Sequence, residues 1–184
     1  MEHLTVSALE AGLEHIRSSP RDAGTLELVV RRPAVDAREV LDEAELDLEV
    51  GLVGDTWIER PSTSTPDGSP NPDAQLTVVN SRLIALVAGS PERWALAGDQ
   101  LYVDMDLSWD NMPAGSLLEI GSALVEVTAK PHRGCAKFAA RFGADALRFV
   151  NTGEGAVLNL RGRNARVHRP GVVRRGDTVL LKRP

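Results

Sequence analysis

Residues 125–138, which read VEVTAKPHRGCAKF, join a β-rich run to a turn and then to a helix-forming run. The valines of the first part alternate with other residues, as in a half-buried strand. Pro131 and Gly134 then break that pattern. Cys135 therefore falls at or near the first turn of a helix, which we predict over residues 135–142. A strand that ends in a turn carrying a cysteine is the feature on which our predictions of fold and function depend.

The chemistry predicted for Cys135 follows from its neighbours. It is the single cysteine of the chain, so an internal disulfide is excluded. The first turn of a helix has free N–H groups and a partial positive charge, and His132, Arg133 and Lys137 add basic side chains. This setting favours the thiolate, which attacks sulfur or binds a soft metal. We predict Cys135 as catalytic residue and metal ligand, and its three basic neighbours as cofactor-binding residues. The alternative is a buried structural cysteine.

The rest of the chain predicts a mostly β fold with a few short helices, in the α+β class. Apolar residues at helical spacing predict a helix over residues 5–18, and a period of two predicts a strand within residues 40–53. Residues 61–72 hold four prolines and predict a loop. Many short strands between Gly and Pro turns indicate a barrel or sandwich, and the length suits one domain over residues 1–184.

Charge is unevenly distributed along the chain. Residues 1–129 hold 8 Lys or Arg against 23 Asp or Glu, whereas residues 130–184 hold 13 against 3. This asymmetry predicts that the C-terminal third meets a small-molecule anion, unless strands from the two parts pair and neutralise each other. The net charge of −5 argues against nucleic-acid binding. No apolar run approaches the roughly 20 residues that span a membrane. We read no signal peptide and expect a cytoplasmic protein.

Residues 131–138, followed by Arg141-Phe142-Gly143, resemble the core of the MOSC domain, the C-terminal domain of molybdenum cofactor sulfurases. Further segments resemble that family in the expected order, over about residues 51–181. They are GLVGD at 51–55, LLEIGSA at 117–123, VHRPGVV at 167–173 and GD at 176–177.

The resemblance implies a MOSC-type β-barrel and a cysteine that either carries sulfur as a persulfide or binds molybdenum in a pterin cofactor. Only Cys135 matches that cysteine. The family is also linked to pyridoxal phosphate, which here would belong to a separate cysteine desulfurase. A reductase of N-hydroxylated compounds, served by a separate electron-transfer protein, is an alternative that the resemblance leaves open. A third is a non-enzymatic ligand-binding or interaction domain with a structural cysteine.

Two further groups of residues are candidates for contacts with the cofactor. Arg161, Arg163 and Asn164 form a small basic turn, and the forked guanidinium donors match a phosphate such as the one the pterin cofactor carries. Asp106 and Asn111 lie in an acidic segment with aromatics and are candidates for hydrogen bonds to the pterin edge. The alternatives are a solvated loop for the first group and the wet face of a strand for the second.

Overall fold

The computed structural model describes residues 3–184. Within them lie eleven strands and six α-helices. The strands are β1 (Ala23–Arg31), β2 (Glu39–Leu41), β3 (Glu43–Asp47), β4 (Gly51–Leu52), β5 (Leu76–Asn80), β6 (Leu101–Asp104), β7 (Leu117–Ile120), β8 (Ala123–Pro131), β9 (Arg163–Arg169), β10 (Gly171–Arg174) and β11 (Thr178–Lys182). The α-helices are α1 (Val6–Ala11), α2 (Leu13–Arg17), α3 (Ser81–Ala88), α4 (Ala136–Phe142), α5 (Ala144–Asn151) and α6 (Gly153–Val157); three 3-10 helices cover Thr56–Glu59, Pro72–Ala74 and Pro91–Ala97.

Seven of the strands close into a barrel. Around the ring they run β1, β11, β7, β8, β9, β5 and β6, and β6 pairs with β1 again. Neighbours are antiparallel except β5 and β6, which are parallel. A parallel pair needs a crossover connection, and α3 with the 3-10 helix Pro91–Ala97 provides it. Strand β2 pairs antiparallel with the end of β1, while β10, β3 and β4 form a small separate sheet. The barrel prediction is confirmed.

Apolar side chains pack in two clusters, one inside the barrel and one between its wall and the helices. Strand β1 serves both. Its pairing with β6 shifts register between Leu26 and Leu28, as at a β-bulge. Leu26 and Val29 consequently belong to the inner cluster, while Leu28 and Val30 join the helix cluster. This is why four apolar residues in five positions are all buried on one strand.

The predicted helix over residues 5–18 is two short helices in the structure, α1 and α2, which meet at Gly12. Leu9, Leu13 and Ile16 are buried in the helix cluster, as the spacing predicts. A Cβ at position 12 would lie 2.6 Å from Cδ2 of Leu86, so a glycine lets α3 approach closely there. Thr5 caps α1 by accepting a hydrogen bond from the amide of Ala8.

The strand predicted within residues 40–53 is present as β3, Glu43–Asp47, but the period of two does not continue through one long strand. The segment folds into β2, β3 and β4, and a tight turn separates β3 from β4. Asp47 Oδ1 accepts hydrogen bonds from the amides of Glu49 and Val50, at 2.8 and 3.1 Å. This side-chain cap competes with strand extension and turns the chain back on itself. Leu48, which lies in that turn, is therefore exposed. Residues 61–71 form a loop without helix or strand, as predicted, and a 3-10 helix begins at Pro72.

The register of the strands gathers several chain segments at one end of the barrel. Pro131 at the end of β8 pairs with Arg163 at the start of β9, and Arg163 pairs with Val78. Val78 also pairs with Leu101 at the start of β6, which in turn pairs with Val29 near the end of β1. The loops that adjoin these positions meet there and build the site described next. None of the helices in residues 3–184 is long and apolar enough to cross a membrane.

Candidate functional site

Cys135 occupies the strand–turn–helix position predicted from the sequence. Strand β8 ends at Pro131, and Cys135 is the extended residue that precedes α4, with its carbonyl accepting from the amide of Ala139 at 3.1 Å. The turn is held by Asn151, whose side chain both accepts from the Gly134 amide and donates to the Gly134 carbonyl. Cys135 is exposed. The hypothesis of a buried structural cysteine is therefore wrong.

A pocket of about 390 Å³ opens beside Cys135, and its walls are rich in cations. The cations come from both the acidic first part and the basic C-terminal part of the sequence, so the anion expected for the C-terminal third would meet residues of both parts. Those in the walls are Arg32, Arg38, Arg60, Lys137, Arg141 and Arg161, with His132 beside them.

Two of these arginines are neutralised by buried aspartates. Arg32 donates from Nε and NH2 to the two carboxylate oxygens of Asp55, both at 2.8 Å. Asp55 also accepts from the backbone amides of Arg32 and Trp57, so its position is fixed from four directions. Arg161 donates from NH1 to both oxygens of Asp99, again at 2.8 Å. These two ion pairs shape the pocket wall without adding net charge to it.

Arg38 and Arg60 form no salt bridge with a carboxylate anywhere in residues 3–184. Arg38 NH1 donates to the Ala37 carbonyl, while its Nε is buried without a hydrogen-bond partner. Among the described residues, Arg60 donates to the hydroxyl of Thr56 alone. Burial lowers the pKa of both guanidinium groups, and the neighbouring charges of Arg141 and Arg32 on Arg38, and of Arg32 on Arg60, lower it further. Positive charges that destabilise one another in this way favour a bound anion.

Asp36 is the one acidic side chain in the wall of this pocket among the described residues. Its Oδ1 lies 3.7 Å from Nζ of Lys137 and 3.4 Å from NH2 of Arg141. The residue sits in a loop with a φ of +59°, an uncommon conformation for a side chain other than glycine. Asp36 is largely exposed, so the two ion pairs are screened and weak.

His132, Asp99 and Arg161 form a compact cluster at the back of the pocket. Asp99 is fully buried, and its Oδ1 lies 3.1 Å from Nε2 of His132. Burial alone would raise the pKa of Asp99, but Arg161 and His132 together lower it to about 2. Burial and the charge of Arg161 lower the pKa of His132. The cluster is therefore an Arg–Asp ion pair beside a neutral imidazole.

A second cavity, of about 230 Å³, lies on the far side of the same cluster. His132 and Arg161 line both cavities, and Arg133 and Trp109 line only the second. The guanidinium of Arg163 stacks on Trp109, 3.8 Å from the ring centroid. Arg133, predicted to bind the cofactor beside Cys135, thus faces the second cavity.

The comparison with known proteins agrees with this fold. A profile of the MOSC domain matches residues 70–180, which is more than half of the chain. The chain belongs to the MOSC domain family. That family is associated with molybdenum cofactor binding. No curated protein matches the chain.

The MOSC barrel seen here is similar to two solved structures. For the YuaD protein from Bacillus subtilis, the TM-score is 0.59 at 19% identity, and the match covers 86% of this chain and 95% of that one. For YiiM from Escherichia coli, the TM-score is 0.54 at 22% identity, and the match covers 87% of this chain and 70% of that one. At these identities the likeness shows the fold alone.

Three of the predicted cofactor-binding residues line the pocket of this MOSC domain: His132, Lys137 and Arg161. Arg163 does not, although it is only two residues from Arg161. It is 1% exposed, and NH1 donates to the carbonyls of Met112 and Leu107. Burial lowers the pKa of Arg163 to about 10. Arg163 is therefore a correction to the predicted phosphate site, because its side chain is buried outside the pocket wall.

The remaining predicted contacts have packing roles. Asn164 is buried and donates to the carbonyls of Lys130 and Pro131, which holds the end of β8. Asn111 is fully buried, and its side chain bonds to the Arg21 and Asp106 carbonyls and to Arg183. Asp106 accepts from the amide of Ser108 and lines a different pocket. These three residues are corrections to the predicted site.

Sequence reasoning missed the pocket cations Arg32, Arg38, Arg60 and Arg141, as well as the buried Asp99. The Gly-Asp turn at positions 54–55 signalled a bend, yet nothing local shows that Asp55 pairs with Arg32, which lies 23 residues earlier. One feature of the sequence could have indicated these cations. Residues 1–129 hold only eight Lys or Arg, and three of the eight line the pocket.

Proposed function

We propose that the pocket at Cys135 binds an anionic cofactor of the molybdenum pterin type, with Cys135 as the protein ligand of the metal. The observation that carries the proposal is one juxtaposition: an exposed thiol shares a pocket with Arg38 and Arg60, neither of which forms a salt bridge with a carboxylate within residues 3–184. A soft sulfur ligand beside uncompensated guanidinium donors suits a metal carried by an anionic organic group.

The donor set fits such a group. Arg38 has a buried Nε without a partner, and forked guanidinium donors match the geometry of phosphate. Within residues 3–184 no three His, Cys, Asp or Glu side chains gather as a metal site, so Cys135 would supply a single protein ligand. Arg38, Arg60 and Lys137 would hold the anionic part. When bound, the group would supply two-electron redox chemistry at the metal.

The residues of the chain would then orient the group and limit its movement. The Arg32–Asp55 and Arg161–Asp99 pairs fix the walls, because each aspartate accepts at least three hydrogen bonds. The guanidinium of Arg161 lies over the ring of Phe138, with the guanidinium carbon 5.0 Å from the ring centroid, and this contact also holds Arg161 in place. Groups held in this way lose little entropy when a ligand binds.

A persulfide carrier is a second candidate, favoured by the exposure of Cys135. A thiol at the mouth of an open pocket is accessible to the separate pyridoxal-phosphate cysteine desulfurase that would supply the sulfur. The reductase of N-hydroxylated compounds would instead need an electron-transfer partner. The persulfide carrier and the molybdenum-dependent reductase both require the thiol of Cys135. They differ in whether the purified protein holds metal.

The test is the molybdenum content of protein purified from a host that makes the pterin cofactor. We expect near-stoichiometric metal in the parent chain, little in Cys135→Ala, and a reduced amount in Arg60→Gln. Arg174→Gln is the matched control, because Arg174 is exposed and pairs with Glu43 outside the pocket. Equal metal in the parent and Cys135→Ala would overturn the proposal. If no variant holds metal, an added sulfur on Cys135 by mass spectrometry would support the carrier.

A further inference from the structure

The imidazole of His132 is held at one edge only. Nε2 lies 3.1 Å from Oδ1 of Asp99, whereas Nδ1 makes no hydrogen bond within residues 3–184. The side chain is 18% exposed and lines the Cys135 pocket. Nδ1 is thus the nitrogen left for a ligand.

The partners of Asp99 decide which nitrogen of His132 carries the hydrogen. A carboxylate accepts hydrogen bonds and donates none, so Nε2 must be the N–H that faces Asp99. The charge of Asp99 is already balanced by Arg161, which donates to both of its oxygens at 2.8 Å. Burial and the charge of Arg161 lower the pKa of His132 from 6.5, although the hydrogen bond and the charge of Asp99 act in the opposite direction. Under mildly alkaline conditions the ring is therefore neutral, with a lone pair on Nδ1.

We propose that Asp99 is a positioning residue that presents Nδ1 of His132 as a hydrogen-bond acceptor, so that the pocket prefers an anion which itself carries a proton. The proposal rests on the anion binding proposed above and adds the class of ligand: an oxyanion with an O–H or N–H group beside its charge.

The other polar groups of the pocket explain why this acceptor matters. Arg38, Arg60 and Lys137 only donate hydrogen bonds. The backbone carbonyls of Gly98 and Ala97 in the wall each already accept one hydrogen bond, from Arg32 and Arg161. The largely exposed carboxylate of Asp36 faces Lys137 and Arg141. A fully deprotonated oxyanion would set its lone pairs against the lone pair on Nδ1. A protonated one would turn its hydrogen toward Nδ1 and keep its other oxygens on the guanidinium groups.

Phosphate and sulfate are the probes that separate these cases. Under mildly alkaline conditions both carry two negative charges and have similar size, but only phosphate retains an O–H. We expect calorimetric titration of the full chain to show phosphate binding tighter by about tenfold, which is the scale of one hydrogen bond gained and one repulsive contact avoided.

Asp99→Asn reverses the tautomer and supplies the decisive variant. Arg161 can only donate, so the amide oxygen of the new residue turns to Arg161 and its N–H₂ faces Nε2 of His132. The hydrogen of the ring then moves to Nδ1, which becomes a donor. We expect the preference for phosphate to disappear or invert in this variant, and ¹⁵N NMR of the histidine ring to report the change of tautomer directly.

Two further variants interpret the outcome. His132→Phe should abolish the discrimination while leaving anion binding, and Arg60→Gln should weaken both anions by the same factor. An unchanged phosphate-to-sulfate ratio in Asp99→Asn, or equal affinities in the parent chain, would overturn this inference while the anion pocket stood. If neither anion bound the parent chain, the anion pocket itself would be overturned, and this inference with it.

Discussion

The guanidinium of Arg32 and the carboxylate of Asp55 form a two-pronged ion pair, Nε to Oδ2 and NH2 to Oδ1, both at 2.8 Å. The Asp55 side chain has no exposed surface and that of Arg32 is 10% exposed. The pair ties the end of β1 to the turn after β4, and so holds one wall of the pocket. Removing one partner would leave a buried charge without compensation.

Asp55→Ala should therefore lower the free energy of unfolding by about 3–5 kcal/mol. Urea denaturation measures this loss. Glu43→Ala is the matched control, because Glu43 pairs with Arg174 at the surface, where both side chains are more than half exposed. An exposed pair is worth about 0–1 kcal/mol. Similar losses in the two variants would show that the Arg32–Asp55 pair is not a structural support of the pocket.

The uncompensated charges of the pocket should make alkylation of Cys135 selective for anionic reagents. We expect iodoacetate to react faster, relative to neutral iodoacetamide, than it does with glutathione, by roughly tenfold at low salt. Added salt should reduce the difference, because the charges near the mouth are screened. Arg38→Gln and Arg60→Gln should slow the iodoacetate reaction more than the iodoacetamide reaction, because loss of thiolate affects both reagents but loss of attraction affects only the anion. A ratio of rates that matches glutathione would contradict the charged pocket.

The Asp99 cluster predicts a stability that falls in acid. The pKa of Asp99 is lowered from 3.8 to about 2, so its contribution is present above pH 3.8 and is lost as the pH falls toward 2. The loss is on the order of 2 kcal/mol. Because the pKa of His132 is also lowered, from 6.5, the unfolded chain takes up that proton first and stability already declines below about pH 6.5.

Urea denaturation over a series of pH values tests this prediction. Asp99→Asn has no carboxylate at position 99, so its stability should fall less steeply between pH 3.8 and 2 than that of the parent chain. His132→Phe should remove the decline that begins below pH 6.5. Parallel curves for all three proteins would mean that other groups cause the acid sensitivity.

Local sequence predicted the strand–turn–helix at Cys135 because every determinant lies within about ten residues. Pro131 cannot continue a ladder, Gly134 lets the turn pack against α5, and the alternation before them sets the strand. The rest of the site is non-local. Asp99 joins His132 and Arg161, which lie 33 and 62 residues away in sequence. Nothing in the composition near any of the three indicates that pairing.

The charge asymmetry along the chain does not persist in the fold, because strands from the two parts pair, which was the stated alternative. Strand β1 from the acidic part pairs with β11 from the basic part, and β5 pairs with β9 in the same way. Barrel closure thus mixes the two parts, and each supplies three of the six cations of the pocket. Arg161 and Arg163 failed as a pair because the chain turns between them at Gly162, which has a φ of +103°.

Because Gly162 makes the turn beside Arg161, adding a single methyl group at position 162 should disturb the pocket. A Cβ added there would lie 2.3 Å from the backbone carbonyl oxygen of Val78, which is held in the barrel wall and has no freedom to move aside. Gly162→Ala should therefore combine backbone strain of about 1–3 kcal/mol with a steric clash, and displace the adjacent Arg161 from Asp99. Thermal unfolding and anion titration measure the two effects.

Gly176→Ala separates strain from clash. Gly176 also has a positive φ, +89°, but a Cβ there would meet no atom within 4 Å. We expect this variant to show only the strain and to bind anions like the parent chain, whereas Gly162→Ala loses more stability and binds anions differently. If the two variants were equally stable and bound anions alike, the approach of β5 to residue 162 would not be what sets Arg161 in the pocket wall.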